Sequence, residues 1–171
     1  MNSLPRIPLA QLPTPVHRLE RLTAQLGGPQ LWIKRDDLTG FALGGNKVRK
    51  LEYLVAAAQE EGARTLITAG AVQSNHCRQT AAAAARYGFE CVLVLEGDEP
   101  EQTTGNLLLD GLFGAEVVWA GSADLEGALQ LVHESDAAKG KRPFLIPLGG
   151  SSPLGALAYA EAMAEFLKQD V

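Results

Sequence analysis

The chain has 171 residues, of which 46% are hydrophobic and 20% are charged, and its formal net charge is -5. This length favours one domain with a sizeable apolar core. The acidic balance, without any run of Lys or Arg, argues against nucleic acid or an anionic membrane as a partner. No apolar run reaches the ~18 residues of a membrane span, and the proline-rich N-terminus lacks the apolar segment of a secretory signal.

Two cysteines, Cys77 and Cys91, fall in a predicted helix and a predicted strand. Their positions fit neither a disulfide framework nor a CxxC site, so a reduced, cytoplasmic compartment is expected. The adjacent pair Asp36 and Asp37 is interpreted as a turn, because nothing nearby supplies a third metal ligand. No metal site is expected.

The first 45 residues are rich in proline and contain one strand candidate, at 31–34. They are interpreted as an arm or as part of another layer. From residue 47 onward, helical and strand patterns alternate. Helices are predicted in the segments 47–62, 74–88, 105–114, 124–140 and 150–168, and strands at 65–70, 91–97, 116–121 and 144–150.

This alternation predicts an α/β fold, in which a parallel sheet flanked by helices forms three layers joined by right-handed crossovers. The segment 91–97 is rich in Val and Leu, which is typical of a parallel strand covered on both faces. Ligands in such folds bind beyond the carboxyl ends of the strands. The loops that lead into the helices are therefore the candidate sites.

The loop 40–47 contains three glycines and leads into a helix that begins with Lys47. Glycine allows positive φ and a close approach of the backbone to a ligand. The positive end of the helix dipole disfavours an ammonium, and Schiff-base chemistry requires a neutral amine. The alternative is an ordinary solvated lysine beside a flexible loop. A P-loop is rejected, because Asn46 stands where that motif needs Lys and Val48 where it needs Ser or Thr.

The loop 70–76 lies between a predicted strand and a predicted helix and carries Ser74, Asn75 and His76. Free N–H groups at a helix start, beside Ser and Asn side chains, form a natural carboxylate or phosphate site. A simple helix cap is the alternative, because Ser and Asn are favoured N-caps. His76 alone is more typical of a partly buried, hydrogen-bonded histidine than of a catalyst. The segment 149–153 is interpreted as a hinge rather than as a phosphate cradle.

Three segments together resemble one family: WIKRDDLTGFALGGNKVRKLEYL, TAGAVQSNHCRQTAAAAARYG and LGGSSPLGALAY. They are similar to the fold-type-II pyridoxal-phosphate (PLP) enzymes of the tryptophan synthase β superfamily, in the branch of D-cysteine desulfhydrase and 1-aminocyclopropane-1-carboxylate (ACC) deaminase. The order GGNK-x-RKLEYL followed by QSN is a specific signature, and the resemblance covers nearly the whole chain.

The resemblance implies a role for each candidate residue. Lys47 would bind PLP covalently, Asn75 would lie against the ring hydroxyl of the cofactor, and Lys50 would approach its phosphate. Ser74 would face the substrate in a proton-transfer or nucleophilic role. The backbone N–H groups of Asn75 and His76 would hold the substrate carboxylate.

The resemblance also implies an activity, that of a lyase or hydrolase acting on a small amino acid, in a homodimer. His76 after QSN and the sequence SSPLGAL favour the desulfhydrase side, which includes cysteate sulfo-lyases. The expected reaction is α,β-elimination from D-cysteine to pyruvate, ammonia and sulfide, with the cofactor as electron sink. ACC deaminase and cysteate sulfo-lyase are the alternatives within the family, and a non-catalytic α/β module for binding or oligomerisation is the alternative outside it.

Members of the family are markedly longer than this chain, so a fragment or truncated form is expected. The expected division is an N-terminal segment of the large domain over 1–46, a small α/β domain over 47–160, and the start of the return to the large domain over 161–171. The arm of residues 1–45 is expected to be disordered or packed on a second copy. Affinity of this chain for PLP is expected to be poor, because the loop that binds the PLP phosphate in the family belongs to the C-terminal part of the longer members.

Overall fold

A computed structural model describes residues 4–169. The strands are β1 (Val16–Arg18), β2 (Trp32–Lys34), β3 (Thr65–Gly70), β4 (Glu90–Leu95), β5 (Glu116–Trp119) and β6 (Pro143–Leu145). The helices are α1 (Glu20–Leu26), α2 (Lys47–Glu60), α3 (Asn75–Tyr87), α4 (Gly105–Leu112), α5 (Leu125–Ala138) and α6 (Pro153–Phe166). None of the helices in this part of the chain is long and apolar enough to cross a membrane.

Strands β3 to β6 form one parallel sheet in the order β5-β4-β3-β6. The central strand β3 pairs with β4 along its whole length, from Thr65 opposite Glu90 to Gly70 opposite Leu95. The chain runs outward from β3 through β4 to β5 and then returns to the other side of β3 to form β6. Strand order therefore reverses between β3 and β6, where open α/β sheets bind ligands.

Helices cover both faces of this sheet, and successive residues of β3 alternate between the two faces. Leu66 packs with Leu51 of α2 and with α3 on one face. Ile67 packs with Leu129 of α5 on the other face. The buried alanines of α3 have short side chains, which lets this helix lie close to the sheet. The predicted three-layer α/β fold with a parallel sheet is confirmed.

All four strands of the sheet are predicted from the sequence, but β6 ends earlier than expected. Ile146 still donates its N–H to the carbonyl of Ile67 at 2.8 Å. Pro147 has no N–H with which to continue the ladder. Gly149 and Gly150 then turn the chain with φ angles of 60° and 63°. The last residues of the predicted strand are therefore a turn.

The N-terminal segment contains two elements that the sequence analysis misses, β1 and α1. β1 pairs antiparallel with β2, with Val16 opposite Lys34. It has only three residues, too few to show a period of two. α1 follows Leu19, which makes no side-chain cap bond, so the sequence carries no signal for its start.

Within the arm of residues 1–45, residues 4–15 are ordered against the same chain, contrary to the expectation of disorder or of packing on a second copy. They lie against α2, where Leu9 is buried in the core. Glu52 of α2 is only 1% exposed and accepts the backbone N–H groups of Leu9 and Ala10, each at 2.8 Å. Arg6 forms an ion pair with the same carboxylate. The arm packs here because it pairs a charge that α2 would otherwise bury alone.

A second buried charge of α2 joins the N-terminal segment to the last helix. Arg49 is 3% exposed and donates to Asp36 and to Glu165 of α6. It also donates to the Thr14 hydroxyl at 3.0 Å. Although burial acts in the opposite direction, hydrogen bonds from Arg49 and Lys34 lower the pKa of Glu165 to about 2. The N-terminal segment, α2 and α6 are therefore packed as one unit.

Helix α4 packs on α3 and buries a carboxylate. Asp110 has no exposed surface, and neither of its oxygens finds a hydrogen-bond partner within residues 4–169. Burial raises the pKa of Asp110 from 3.8 to about 7, although the charge of Arg78 opposes this. A carboxyl with a raised pKa in the folded state disfavours folding progressively as the pH rises from the ordinary value to the raised one.

We predict that Glu52→Met loosens the arm, because two backbone N–H groups and Arg6 lose their common acceptor. The expected loss of stability is roughly 1–3 kcal/mol, the cost of leaving buried polar groups unpaired. Hydrogen exchange measured by mass spectrometry should become faster over residues 7–11. Glu60→Met, at the exposed end of the same helix, is the control. Equal exchange in the two variants would contradict this role of Glu52.

We predict that Asp110→Asn stabilises the protein at pH 8 by roughly 1–3 kcal/mol, because it removes a carboxylate that is buried without a partner. The difference from the unsubstituted protein should shrink as the pH falls from 7 and vanish only at about pH 3 and below, where Asp110 is protonated in both the folded and the unfolded state. Thermal melts across this pH range measure the effect, with the exposed Asp98→Asn as control. A difference that is independent of pH would show that the pKa of Asp110 does not change on folding, which would contradict the raised pKa.

Candidate active site

Three loops meet at the carboxyl ends of β3 and β6, where strand order reverses. They are the glycine loop 40–46 before α2, the loop 71–74 between β3 and α3, and the turn 146–152 after β6. Each loop ends where a helix begins, so the N–H groups of three helix starts are nearby. These loops contain or border every site residue that the sequence predicts.

The glycine loop is held by the side chain of Thr39 and is too closely packed at Gly44 to admit a side chain. The buried Thr39 hydroxyl accepts the Gly45 N–H at 2.9 Å and lies 3.1 Å from the Gly45 carbonyl. Gly44 has a φ of 73°, and a Cβ at this position would lie 1.9 Å from the carbonyl oxygen of Asp37. Only glycine fits at this position. The loop ends at Asn46, and Lys47 is the first residue of α2. The predicted position of Lys47 at a helix start is confirmed.

The turn after β6 lies directly beside two lysines of α2. A Cβ built at Gly149 would be 3.4 Å from Cε of Lys47, an ordinary van der Waals contact, so the turn packs against this side chain. Nζ of Lys50 donates to the Gly149 carbonyl at 3.0 Å and to Oγ of Ser151 at 3.2 Å. Burial, and then the charge of Lys47, lower the pKa of Lys50.

Neither Lys47 nor Lys50 forms an ion pair with a carboxylate among the described residues. Two neighbouring amines without an acidic partner favour the binding of an anion.

His76 is a buried, hydrogen-bonded histidine whose tautomer follows from its neighbours. The Thr68 hydroxyl donates to the Ile146 carbonyl at 2.8 Å, so it accepts from Nε2 of His76, at 3.0 Å. Nε2 therefore carries the proton, and Nδ1 is left without a partner among the described residues. Burial, followed by the charges of Lys47 and Lys50, lowers the pKa of His76 to about 3. The imidazole is neutral at physiological pH.

Ser74 and Asn75 stand at the start of α3, as the sequence predicts. Ser74 is the N-cap, and its Oγ accepts the N–H of Cys77 at 3.2 Å. Asn75 is exposed, and its Oδ1 accepts from Arg78 at 2.8 Å and from Asn106 at 3.0 Å. The cap bond of Ser74 uses the oxygen as acceptor and leaves its O–H free to donate.

Three residues that border this site are not predicted from the sequence: Arg78, Asn106 and Tyr159. Arg78 lies three positions after Asn75, a spacing that brings side chains together on a helix, so this pair could be predicted. The Tyr159 hydroxyl accepts from the Asn46 amide at 2.6 Å, and its ring centroid is 5.5 Å from Nζ of Lys50. Contacts across so long a separation in sequence leave no local pattern.

The residues present fit PLP. Lys47 supplies an amine at a helix start, and Lys50, Ser151 and the helix N-termini supply donors for an anion. Gly149 leaves space beside Lys47 that a Cβ would narrow. Within residues 4–169, no group of His, Cys, Asp and Glu side chains could hold a metal ion.

Comparisons with known proteins agree with this chemistry. Residues 7–170 match a family model described as pyridoxal-phosphate dependent enzyme. The D-cysteine desulfhydrases of Salmonella typhi and Salmonella paratyphi B are each 48% identical over 175 residues, which cover 99% of this chain and 53% of those proteins. A crystal structure described as that of an ACC deaminase homologue superposes with a TM-score of 0.90 at 40% identity, over 98% of this chain and 51% of that one.

The chain thus spans about half the length of the relatives that it matches. The resemblance to the desulfhydrase and ACC deaminase branch is confirmed, while the hydrolase class is wrong, since the matched relatives are desulfhydrases. With residues 7–170 covered by the family model and the fold shared with the ACC deaminase homologue, the chain belongs to the family of pyridoxal-phosphate dependent enzymes.

Proposed function

We propose that the whole protein eliminates sulfide from D-cysteine, giving pyruvate, ammonia and sulfide, with PLP held by Lys47. The observation that carries this proposal is the pair of amines, Lys47 and Lys50, that lies without an acidic partner among the described residues where strand order reverses. The 48% identity to D-cysteine desulfhydrases supports the choice of substrate.

PLP, when bound, supplies an electron sink for the carbanion that forms at the substrate Cα. The amine of Lys47 would hold the cofactor covalently and, once the substrate amino group has displaced it, would be free to take the proton from Cα. Lys50 contacts the cofactor phosphate, and its bonds to Gly149 and Ser151 fix the direction of its amine. Asn75 donates to the ring oxygen of the cofactor.

The substrate carboxylate is held by the backbone N–H groups of Asn75 and His76, at the positive end of the α3 dipole. His76 takes part through its backbone, because its side chain is buried and bonded to Thr68. Ser74 moves a proton with its hydroxyl. This role is compatible with the cap bond, in which its oxygen only accepts.

A second candidate is ACC deaminase, which the ACC deaminase homologue favours through its fold at 40% identity. Both reactions begin with an α-amino carboxylate at the same N–H groups. Cysteate sulfo-lyase activity is a third member of the same class. A non-catalytic module would need none of these side chains, so turnover separates it from all three.

The division into 1–46, 47–160 and 161–171, with the outer parts belonging to a large domain, is part of this proposal. Arg49 of the middle part binds Asp36 and Glu165, one from each outer part, so the three parts contact one another at this residue. A homodimer in the cytoplasm is likewise proposed. The buried thiols of Cys77 and Cys91, which form no disulfide, agree with a reducing compartment.

The test is an assay of the whole protein with PLP, in which D-cysteine, ACC and cysteate are offered separately. We predict sulfide release from D-cysteine and a visible absorbance band from the PLP–lysine adduct. Lys47→Ala should abolish the band and lower kcat by roughly 10²–10⁴-fold or more, since the covalent link and the proton-transfer group are lost together. Lys139→Ala, at the exposed C-cap of α5, should change neither.

Ser74→Ala in the same assay distinguishes proton transfer from capping. A proton-transfer role predicts an unchanged band and a kcat that is lower by roughly 10²-fold or more. A cap alone predicts about 1 kcal/mol of lost stability with turnover nearly intact. Faster turnover of ACC than of D-cysteine would contradict the desulfhydrase assignment, and absence of both band and turnover would favour the non-catalytic module.

A further inference from the structure

Arg78 of α3 is a buried cation that binds three acceptors, none of which is charged. It is 5% exposed. Nη1 donates to Oδ1 of Asn75 and to Oδ1 of Asn106, both at 2.8 Å, and Nη2 donates to the carbonyl of Gly44 at 3.1 Å. Its Nε has no partner among the described residues. Burial of a guanidinium is costly, and no carboxylate accepts a hydrogen bond from it among the described residues. Burial lowers the pKa of Arg78, and the charge of the nearby Asp110 of α4 acts against this.

The guanidinium determines which end of the Asn75 amide faces the site. Arginine only donates, so the oxygen atoms of Asn75 and Asn106 must both point towards it. The amide nitrogen of Asn106 then donates to Oδ1 of Asn75 at 3.0 Å and to the carbonyl of Gln73 at 2.7 Å. Both lone pairs of the Asn75 oxygen are therefore used. Asn75 presents only its N–H donors to a ligand.

The same guanidinium holds the loop that places Lys47. The Gly44 carbonyl accepts from Arg78 and from the neighbouring Gln79. Gly44 lies three residues before Lys47 in a loop whose backbone has no room for a side chain at this point. A single side chain thus connects the amide of Asn75 to the loop that ends at the amine of Lys47.

We propose that Arg78 is a positioning residue, which turns the Asn75 amide so that it donates to the ring oxygen of the cofactor and which fixes the loop before Lys47. This inference rests on the proposed function, because it concerns the same site. Arg78 itself does not touch the cofactor and acts through Asn75 and Gly44.

The first test needs no cofactor. Arg78→Lys keeps the charge, but its single nitrogen cannot reach both the amides and the Gly44 carbonyl. Hydrogen exchange over residues 40–46 should become roughly fivefold faster or more, as expected when a hydrogen bond worth about 1 kcal/mol is lost. Arg64→Lys, an exposed arginine just before β3, should leave it unchanged. Unchanged exchange in Arg78→Lys would overturn the role in holding the loop.

The second test is the pH dependence of the visible band of the PLP–lysine adduct. A donor at the ring oxygen stabilises its negative charge and weakens its hold on the neighbouring imine proton. Losing the donor should therefore raise the pH midpoint of the band by about 0.5–1 unit. We expect this shift in Arg78→Lys. Asn106→Ala removes the second partner of Asn75 but leaves the bond from Arg78 in place, so it should keep the midpoint of the unsubstituted protein.

Arg64→Lys should likewise keep the midpoint of the unsubstituted protein. An unshifted midpoint in Arg78→Lys would overturn the role of Arg78 in orienting Asn75, even if turnover fell, and a shift in Asn106→Ala would assign that role to Asn106 instead. Absence of the band in the unsubstituted protein would instead contradict the proposed function, and with it the part of the inference that concerns the cofactor. The exchange experiment would still decide whether Arg78 holds the loop.

Discussion

The carbonyl oxygen of Gly44 is the point on which the geometry of the site depends. It accepts from Arg78 and Gln79 of α3, while the Gly45 N–H is held by Thr39. These bonds fix the start of α2 against the helix that follows β3. Because α2 begins where the loop ends, they also fix the position of Lys47 relative to the carboxyl end of the sheet.

Helix α2 separates its charges by face, and this separation explains how one helix supports both the fold and the site. Glu52 and Arg49 point to the N-terminal segment and to α6, where their partners are Arg6 and Asp36, and Glu165. Lys47 and Lys50 lie one turn apart and face the turn after β6. The face towards the N-terminal segment and α6 thus holds charges that are paired, and the two amines on the other face have no acidic partner among the described residues.

Most of the sheet and the position of the lysine could be predicted from the sequence, and the physical reasons are local. A parallel strand buried on both faces is a continuous apolar run, as in β4, and a glycine loop before a helix marks where a backbone must turn closely. The packing of the arm could not be predicted, because it depends on the buried side chains of Glu52 and Arg49. In the sequence, these charges look like solvent-exposed positions of an amphipathic helix.

The site residues also fall into those that the local sequence predicts and those that only the tertiary structure reveals. Ser74 and Asn75 were predicted because Ser and Asn are typical of helix starts, whereas the contact between Asn46 and Tyr159 spans most of the chain. Arg78 belongs to a helix of small residues, and only the structure shows that its acceptors are two amides and a loop carbonyl. Buried polar networks of this kind depend on the tertiary fold, so local patterns do not reveal them.

The central claim is that Lys47, and not its neighbour Lys50, binds the cofactor. Borohydride reduction of the protein mixed with PLP makes the covalent link permanent, and peptide mapping by mass spectrometry then locates the pyridoxyl group. The account predicts the label on Lys47, because its amine has no bonded partner among the described residues, whereas the amine of Lys50 is bound to Gly149 and Ser151. A label on Lys50 or Lys34 would contradict it.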